Sequence, residues 1–150
     1  MLRNLERILV AVDGDPASMA AVDHAVALAA SEHAKLTFVN VTSILEREFA
    51  PNGSRVNRVP DRDHVQPLHE ALARAAEVDV DADAEVLVGF PPEQIAALAE
   101  ELDSDLIVVG SHHLKGARRL LHGSVSRALL DATRRPLMVV TEPAVEPAHA

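Results

Sequence analysis

Residues Leu106–Ser126 read LIVVGSHHLKGARRLLHGSVS, which is an apolar run, a glycine, a basic loop, and Gly123-Ser124 opening a helical pattern. Four apolar residues closed by glycine have the length and composition of a buried strand. Gly-Ser ahead of Val125, Leu129 and Ala132 is a helix start, because serine caps backbone N–H groups that have no intrahelical partner. Strand, glycine-punctuated loop and helix N-terminus in that order form an anion site. The freed amides point outward, and the helix dipole adds partial positive charge. The local charge agrees. From Gly110 to Pro136, Lys115, Arg118, Arg119, Arg127, Arg134 and Arg135 stand against Asp131 alone, a local +5 in a chain of net charge −9. A basic turn in an acidic protein points to a phosphate-bearing ligand.

Four further apolar runs accompany Leu106–Val109, namely Ile8–Val12, Leu36–Val41, Glu85–Val88 and Leu137–Val140. Most lack polar alternation, as expected of strands buried on both faces of a parallel sheet. Helical spacing fills the gaps. Met19, Val22, Val26 and Ala29 mark one face, Val65, Leu68, Leu72 and Ala75 a second, and Ile95, Leu98 and Leu102 a third. Asp15-Pro16 is a cap followed by proline at the first helical position, and Pro91-Pro92-Glu93 opens the third helix. Strand–helix alternation from end to end predicts one doubly wound α/β domain, with its ligand beyond the carboxyl ends of the strands. We expect the domain to span 1–142, with 143–150 as a flexible tail. The segment Thr42–Arg62 is long and polar and holds Pro51, Asn52, Gly53 and Pro60, so it reads as a loop that could act as a lid.

Composition narrows the function classes. The chain has 150 residues, enough for a full core, and no cysteine, which excludes a disulfide scaffold and suits a reducing cytosol. The N-terminus lacks the apolar core and cleavage site of a signal peptide, and no run approaches a membrane span. The acidic balance and 2% aromatic content argue against nucleic-acid partners. A cytoplasmic location and no membrane partner are the expectations.

Asp13 follows the first strand as Gly110 follows the fourth. With Asp15 capping the helix, the Asp13 carboxylate is left for a ligand, or it closes an Asx turn. As an acceptor it suits the exocyclic amine of adenine and repels the carbonyl of guanine. Gly123 and Ser124 offer amides and a hydroxyl to phosphate, with Ser126 one step further on; Ser124 as a plain cap fits equally well. His112, His113 and His122 lack partners at metal-ligand spacing and read as loop histidines, so no metal site is expected. There is no Gly-Lys-Ser/Thr phosphate loop, no three-glycine dinucleotide turn and no Gly-x-Ser-x-Gly elbow. No acid–base pair awaits a substrate, so no catalytic residue is assigned.

Three blocks in order resemble the universal stress protein family. ILVAVDGDPASMAAVDHAVALA is similar to its first strand and helix, VLVGFPPEQIAALAEELDSDLIVVGSH to the centre, and LLHGSVSRALLDATRRPLMVV to the close. The similarity runs from Ile8 to about Thr141. It implies an adenine-nucleotide alpha-hydrolase-like fold, a five-stranded parallel sheet of order 3-2-1-4-5 with helices on both faces. The nucleotide-binding branch of the family has Gly, two residues, Gly, nine residues, then Gly-Ser/Thr. Gly110, Gly123 and Ser124 match, and His113 stands in place of the second glycine, where a Cβ resists close backbone approach. The resemblance puts adenine contacts on Asp13 and the backbone of Val41, and ribose and phosphates on Gly110, Gly123 and Ser124.

What this implies is an ATP-binding or adenine-nucleotide-binding regulator of the stress response, with ATP carried with or without Mg2+. Hydrolysis would be slow and incidental. A homodimer would pair through Leu137–Val140, an arrangement that also removes an apolar edge from solvent. A protein client is a further expected partner. The alternative is a nucleotide-free protein that acts through its dimer and protein contacts, with His113 closing the pocket. A third reading, an enzyme of the wider adenine-nucleotide group, lacks a visible base or metal ligands.

Overall fold

Leu106–Val109 are all buried, and they sit one strand from the centre of a parallel sheet. The computed structural model describes residues 4–42, 62–111 and 124–141. Along the chain these form β1 (Arg7–Ala11), α1 (Pro16–Glu32), β2 (Lys35–Thr42), α2 (Arg62–Glu77), β3 (Ala82–Val88), α3 (Pro91–Glu101), β4 (Leu106–Gly110), α4 (Ser124–Ala132) and β5 (Leu137–Val140). The sheet order is β3-β2-β1-β4-β5 and every ladder is parallel, as expected from the family resemblance. Val10 fixes the centre, opposite Phe38 on one side and Val108 on the other.

Strand alternation sorts the core into two layers. Ile8, Val10 and Val12 face one way, with Phe38, Val22, Val26 and Leu68, under α1 and α2. Leu9 faces the other way, with Val39, Ile107, Ile95, Leu98 and Leu129, under α3 and α4. Helices therefore cover both faces. Phe38, Ile8 and Leu9 are fully buried, each worth about 1.5–3 kcal/mol by removal of apolar surface from water. The stripe that α1 lays on the sheet is largely alanine (Ala17, Ala21, Ala25, Ala29), with Val22 and Val26 completing it. Small side chains let this helix lie close to the strands. Asp15 has extended backbone (φ −63, ψ 147), and its side chain accepts the Ala17 N–H at 2.8 Å, the cap expected from Asp15-Pro16.

Two details differ from the sequence reading. β3 begins at Ala82, not Glu85, because along its first half this edge strand buries one face only. Asp83 and Glu85 alternate outward between half-buried Ala82, Ala84 and Val86, so the apolar-run criterion misses its first half. Ala132 is exposed, leaving Val125 and Leu129 as the packed face of α4. β5 is the opposite edge, and Met138 and Val139 keep 38% and 42% of their surface exposed. The segment read as a lid falls almost wholly outside the described residues, as does the 143–150 tail.

Beneath the sheet, Arg135 ties the approach to β5 to the end of α3. It donates to both Glu100 carboxylate oxygens at 3.1 and 2.9 Å, to Asp103 at 2.8 Å and to the Ser104 carbonyl at 3.0 Å. Four acceptors around one planar donor fork set the angle at which β5 enters the sheet.

Candidate functional site

The chain leaves β1 towards β2 on one side and leaves β4 towards β5 on the other, so the two neighbouring strand ends part like a split seam. A cleft of about 130 Å3, open to solvent, lies at this point, where open α/β sheets bind their ligands. Its apolar wall is Val39 and Val41 of β2, Val109 of β4, Pro91 and Ile95 of α3, and Val125 of α4. Val39, Ile95 and Val109 belong to the α3/α4 layer of the core, so the cleft opens on that face. Its polar side chains among the described residues are Asp13, Ser18 and Asn40, and Asp13 is the only titratable one.

The turn after β1 is closed by interlocking hydrogen bonds. Asp13 N–H donates to Ser18 Oγ at 2.9 Å, Asp15 N–H to Asp13 Oδ1 at 2.9 Å, and Ala17 N–H to Asp15 Oδ1 at 2.8 Å. The expectation that capping by Asp15 leaves the Asp13 carboxylate free is thus corrected. One of its oxygens closes the Asx turn. Asp13 nevertheless belongs to the cleft lining, and the turn holds it there.

Gly110 has a packing reason to be glycine. A Cβ built on it would stand 2.5 Å from the Ala17 carbonyl carbon and from Ser18 N, and 2.6 Å from Ala17 O. β4 and the first turn of α1 are therefore in backbone contact. Gly14 is constrained differently, with φ +86 in the left-handed region and a Cβ position 2.9 Å from Pro67 Cγ. Asn40 Nδ2 donates to the Val12 carbonyl at 2.8 Å and binds the ends of β2 and β1, while its buried Oδ1 has no partner among the described residues.

Of the residues singled out from the sequence, Asp13, Val41 and Gly110 meet in this cleft. His113 and Gly123 fall outside the described residues. Ser124 heads α4, with its side chain outside the described set, and its neighbour Val125 reaches the cleft. Ser126 is half-buried on α4 and is not part of the lining. Sequence reading missed Ser18, Asn40, Pro91 and Ile95 as lining residues. Pro91 and Ile95 were visible as a helix start and a core position, but only the fold turns that end of α3 towards the cleft. Asn40 carries a faint signal, a polar residue inside an apolar run.

Fold and cleft define a doubly wound α/β domain with a cleft at its switch point. A sequence model of the universal stress protein family matches residues 4–141, and the chain belongs to that family. It is 29% identical over 144 residues to Universal stress protein YxiE of Bacillus subtilis, covering 89% of this chain and 97% of that one. It is 31% identical over 142 residues to Universal stress protein A homolog 1 of Coxiella burnetii, covering 90% and 95%. Among solved structures it is similar to a universal stress protein crystallised in complex with cAMP, with a TM-score of 0.70, 28% identity, and 92% and 98% coverage. Among the described residues, no helix is long and apolar enough to cross a membrane.

Proposed function

We propose that the cleft binds an adenine nucleotide, ATP or a smaller relative, and that the protein is a nucleotide-responsive regulator of the stress response rather than a dedicated enzyme. The observation that carries this reading is the meeting of Asp13, Val41, Gly110 and Val125 around one cleft at the sheet's switch point. The residues suit an adenine nucleotide. Val39, Val41, Pro91 and Ile95 offer an apolar slot for a base, and the Asp13 carboxylate accepts from an exocyclic amine. Pro91 and Pro92 remove two N–H groups from the start of α3, so that wall offers a base little competition from amides. Phosphates belong at the start of α4, where Ser124 follows Gly123. The similar structure crystallised with cAMP supports the same ligand class.

Hydrolysis in this reading is slow and incidental, because the described lining holds a single titratable side chain and no second group to activate water. Among the described residues no three His, Asp or Glu gather as a metal site, so Mg2+ enters only as a companion of the phosphates. The cytoplasm, a homodimer through β5 and a protein client complete the proposal. The decisive experiment is calorimetric titration of ATP and of AMP, with Mg2+, into the parent, Asp13→Ala and His113→Gly. One-site binding that Asp13→Ala weakens measurably supports the reading. Binding gained only in His113→Gly favours the alternative, a nucleotide-free protein working through its surfaces. That alternative has one observation of its own, the exposed apolar residues Met138 and Val139 on edge strand β5.

A further inference from the structure

We infer that Ser18 is a positioning residue of the cleft, acting through Asp13. Three observations converge on it. Ser18 is buried, with 4% of its surface exposed, although it stands in the first turn of α1 at the cleft, where a serine could be solvated at no cost. Its Oγ accepts the Asp13 N–H at 2.9 Å and lies 3.5 Å from the Ala11 carbonyl, so one hydroxyl brackets Val12, the residue that joins β1 to Asp13. Its own backbone N is fixed from behind by the contact surface of Gly110.

The consequence is a closed circuit. Ser18 holds the Asp13 amide, Asp13 Oδ1 holds the Asp15 amide, and Asp15 Oδ1 holds the Ala17 amide, adjacent to Ser18 again. Such a ring fixes the direction of the Asp13 side chain before any ligand arrives, which lowers the ordering cost of binding. Ser18 is the one hydrogen-bonding side chain of the ring that is buried; Asp13 is exposed and Asp15 half-buried. Helix capping does not need it, since Asp15 performs that task. The assignment of Ser18 rests on the cleft being a nucleotide site only as far as the binding readout is concerned, since its hold on Asp13 is a property of the free protein.

The test joins two measurements on the parent, Ser18→Ala, Asp13→Ala and the double variant. Amide hydrogen exchange should show protection lost at Asp13 and Asp15 in Ser18→Ala, while Val10 and Val108 in the central strands keep theirs. Titration with AMP should show Ser18→Ala about five- to tenfold weaker than the parent, the effect of one hydrogen bond. In the Asp13→Ala background the same change should have no further effect, because a positioning residue has nothing left to position. Unchanged exchange at Asp13, or a Ser18→Ala penalty that persists without the carboxylate, overturns the inference. If the parent binds no AMP, the nucleotide reading fails, and the exchange profile alone then decides the role of Ser18.

Discussion

A Cβ on Gly110 would stand 2.5 Å from the backbone nitrogen of Ser18, so β4 and the first turn of α1 touch main chain to main chain. Glycine-rich motifs at strand ends invite a purely ligand-based reading, with room for a phosphate. Here the neighbour that needs the room belongs to the protein. The contact couples the two halves of the cleft, because α1 carries the ring that aims Asp13 and β4 carries the wall at Val109.

Gly110→Ala is therefore expected to destabilise the fold, by about 1–3 kcal/mol, the usual cost of forcing a methyl group into a filled space. The atoms in the way are backbone and cannot turn aside as a flexible side chain would. Urea denaturation should show a lower midpoint at unchanged slope. A variant as stable as the parent would mean that the strand and helix can part, and would remove the steric account of this glycine.

The cap on α1 gives a sharper comparison. Asp15→Ala leaves the Ala17 amide without its side-chain acceptor and should cost about 0.5–2 kcal/mol, whereas Asp15→Ser keeps an acceptor and should stay close to the parent. Thermal melts of the three proteins decide it. Equal losses in both variants would show that the carboxylate charge matters more than the cap geometry.

At the other end of the sheet, the hydrogen bond from Arg135 holds the Glu100 carboxyl below its ordinary value of 4.5, against the opposing effects of partial burial and Asp103. Glu100 also holds Arg135 in its charged form, and Asp103 adds to this. For a depressed carboxyl the sign is fixed. Its contribution is complete above the ordinary value and is lost as pH falls through the lowered one. Denaturation midpoints of the parent should therefore fall below about pH 4.5 more steeply than those of Arg135→Gln, which has no such linkage to lose. Parallel acid limbs in the two proteins would show that the pair does not report on folding.

Much of this architecture is legible in the chain because central parallel strands are apolar on both faces. Ile8–Val12 and Leu106–Val109 announce themselves for that reason. Edge strands do not. Asp83 and Glu85 sit in β3 with one face in solvent, so half of that strand resembles a loop. At the site, the sequence marks Asp13 and Gly110 because they follow apolar runs, yet it assigns the glycine to a ligand when its nearest constraint is α1. It also leaves Asp13 a free carboxylate, although one oxygen closes the Asx turn. Ser18 was invisible for a physical reason. Its role depends on a hydrogen bond back to Asp13 and on a strand more than ninety residues away, and neither contact leaves a periodic trace.

β5 offers the last prediction. It is an edge strand of four residues, Leu137–Val140, and its middle pair, Met138 and Val139, is 38% and 42% exposed on opposite faces. Apolar edges template unwanted pairing unless they are charged, bent or covered. Opposite β5, β3 carries outward Asp83 and Glu85, a charged margin suited to standing alone; β5 carries no charge. If a second copy covers it, as proposed, Val139→Lys places a charge at the joint and should shift the protein from dimer to monomer without unfolding it. Sedimentation equilibrium over a range of concentrations reads this directly. A parent that is monomeric throughout would remove the homodimer from the proposal and leave the β5 edge to a different partner.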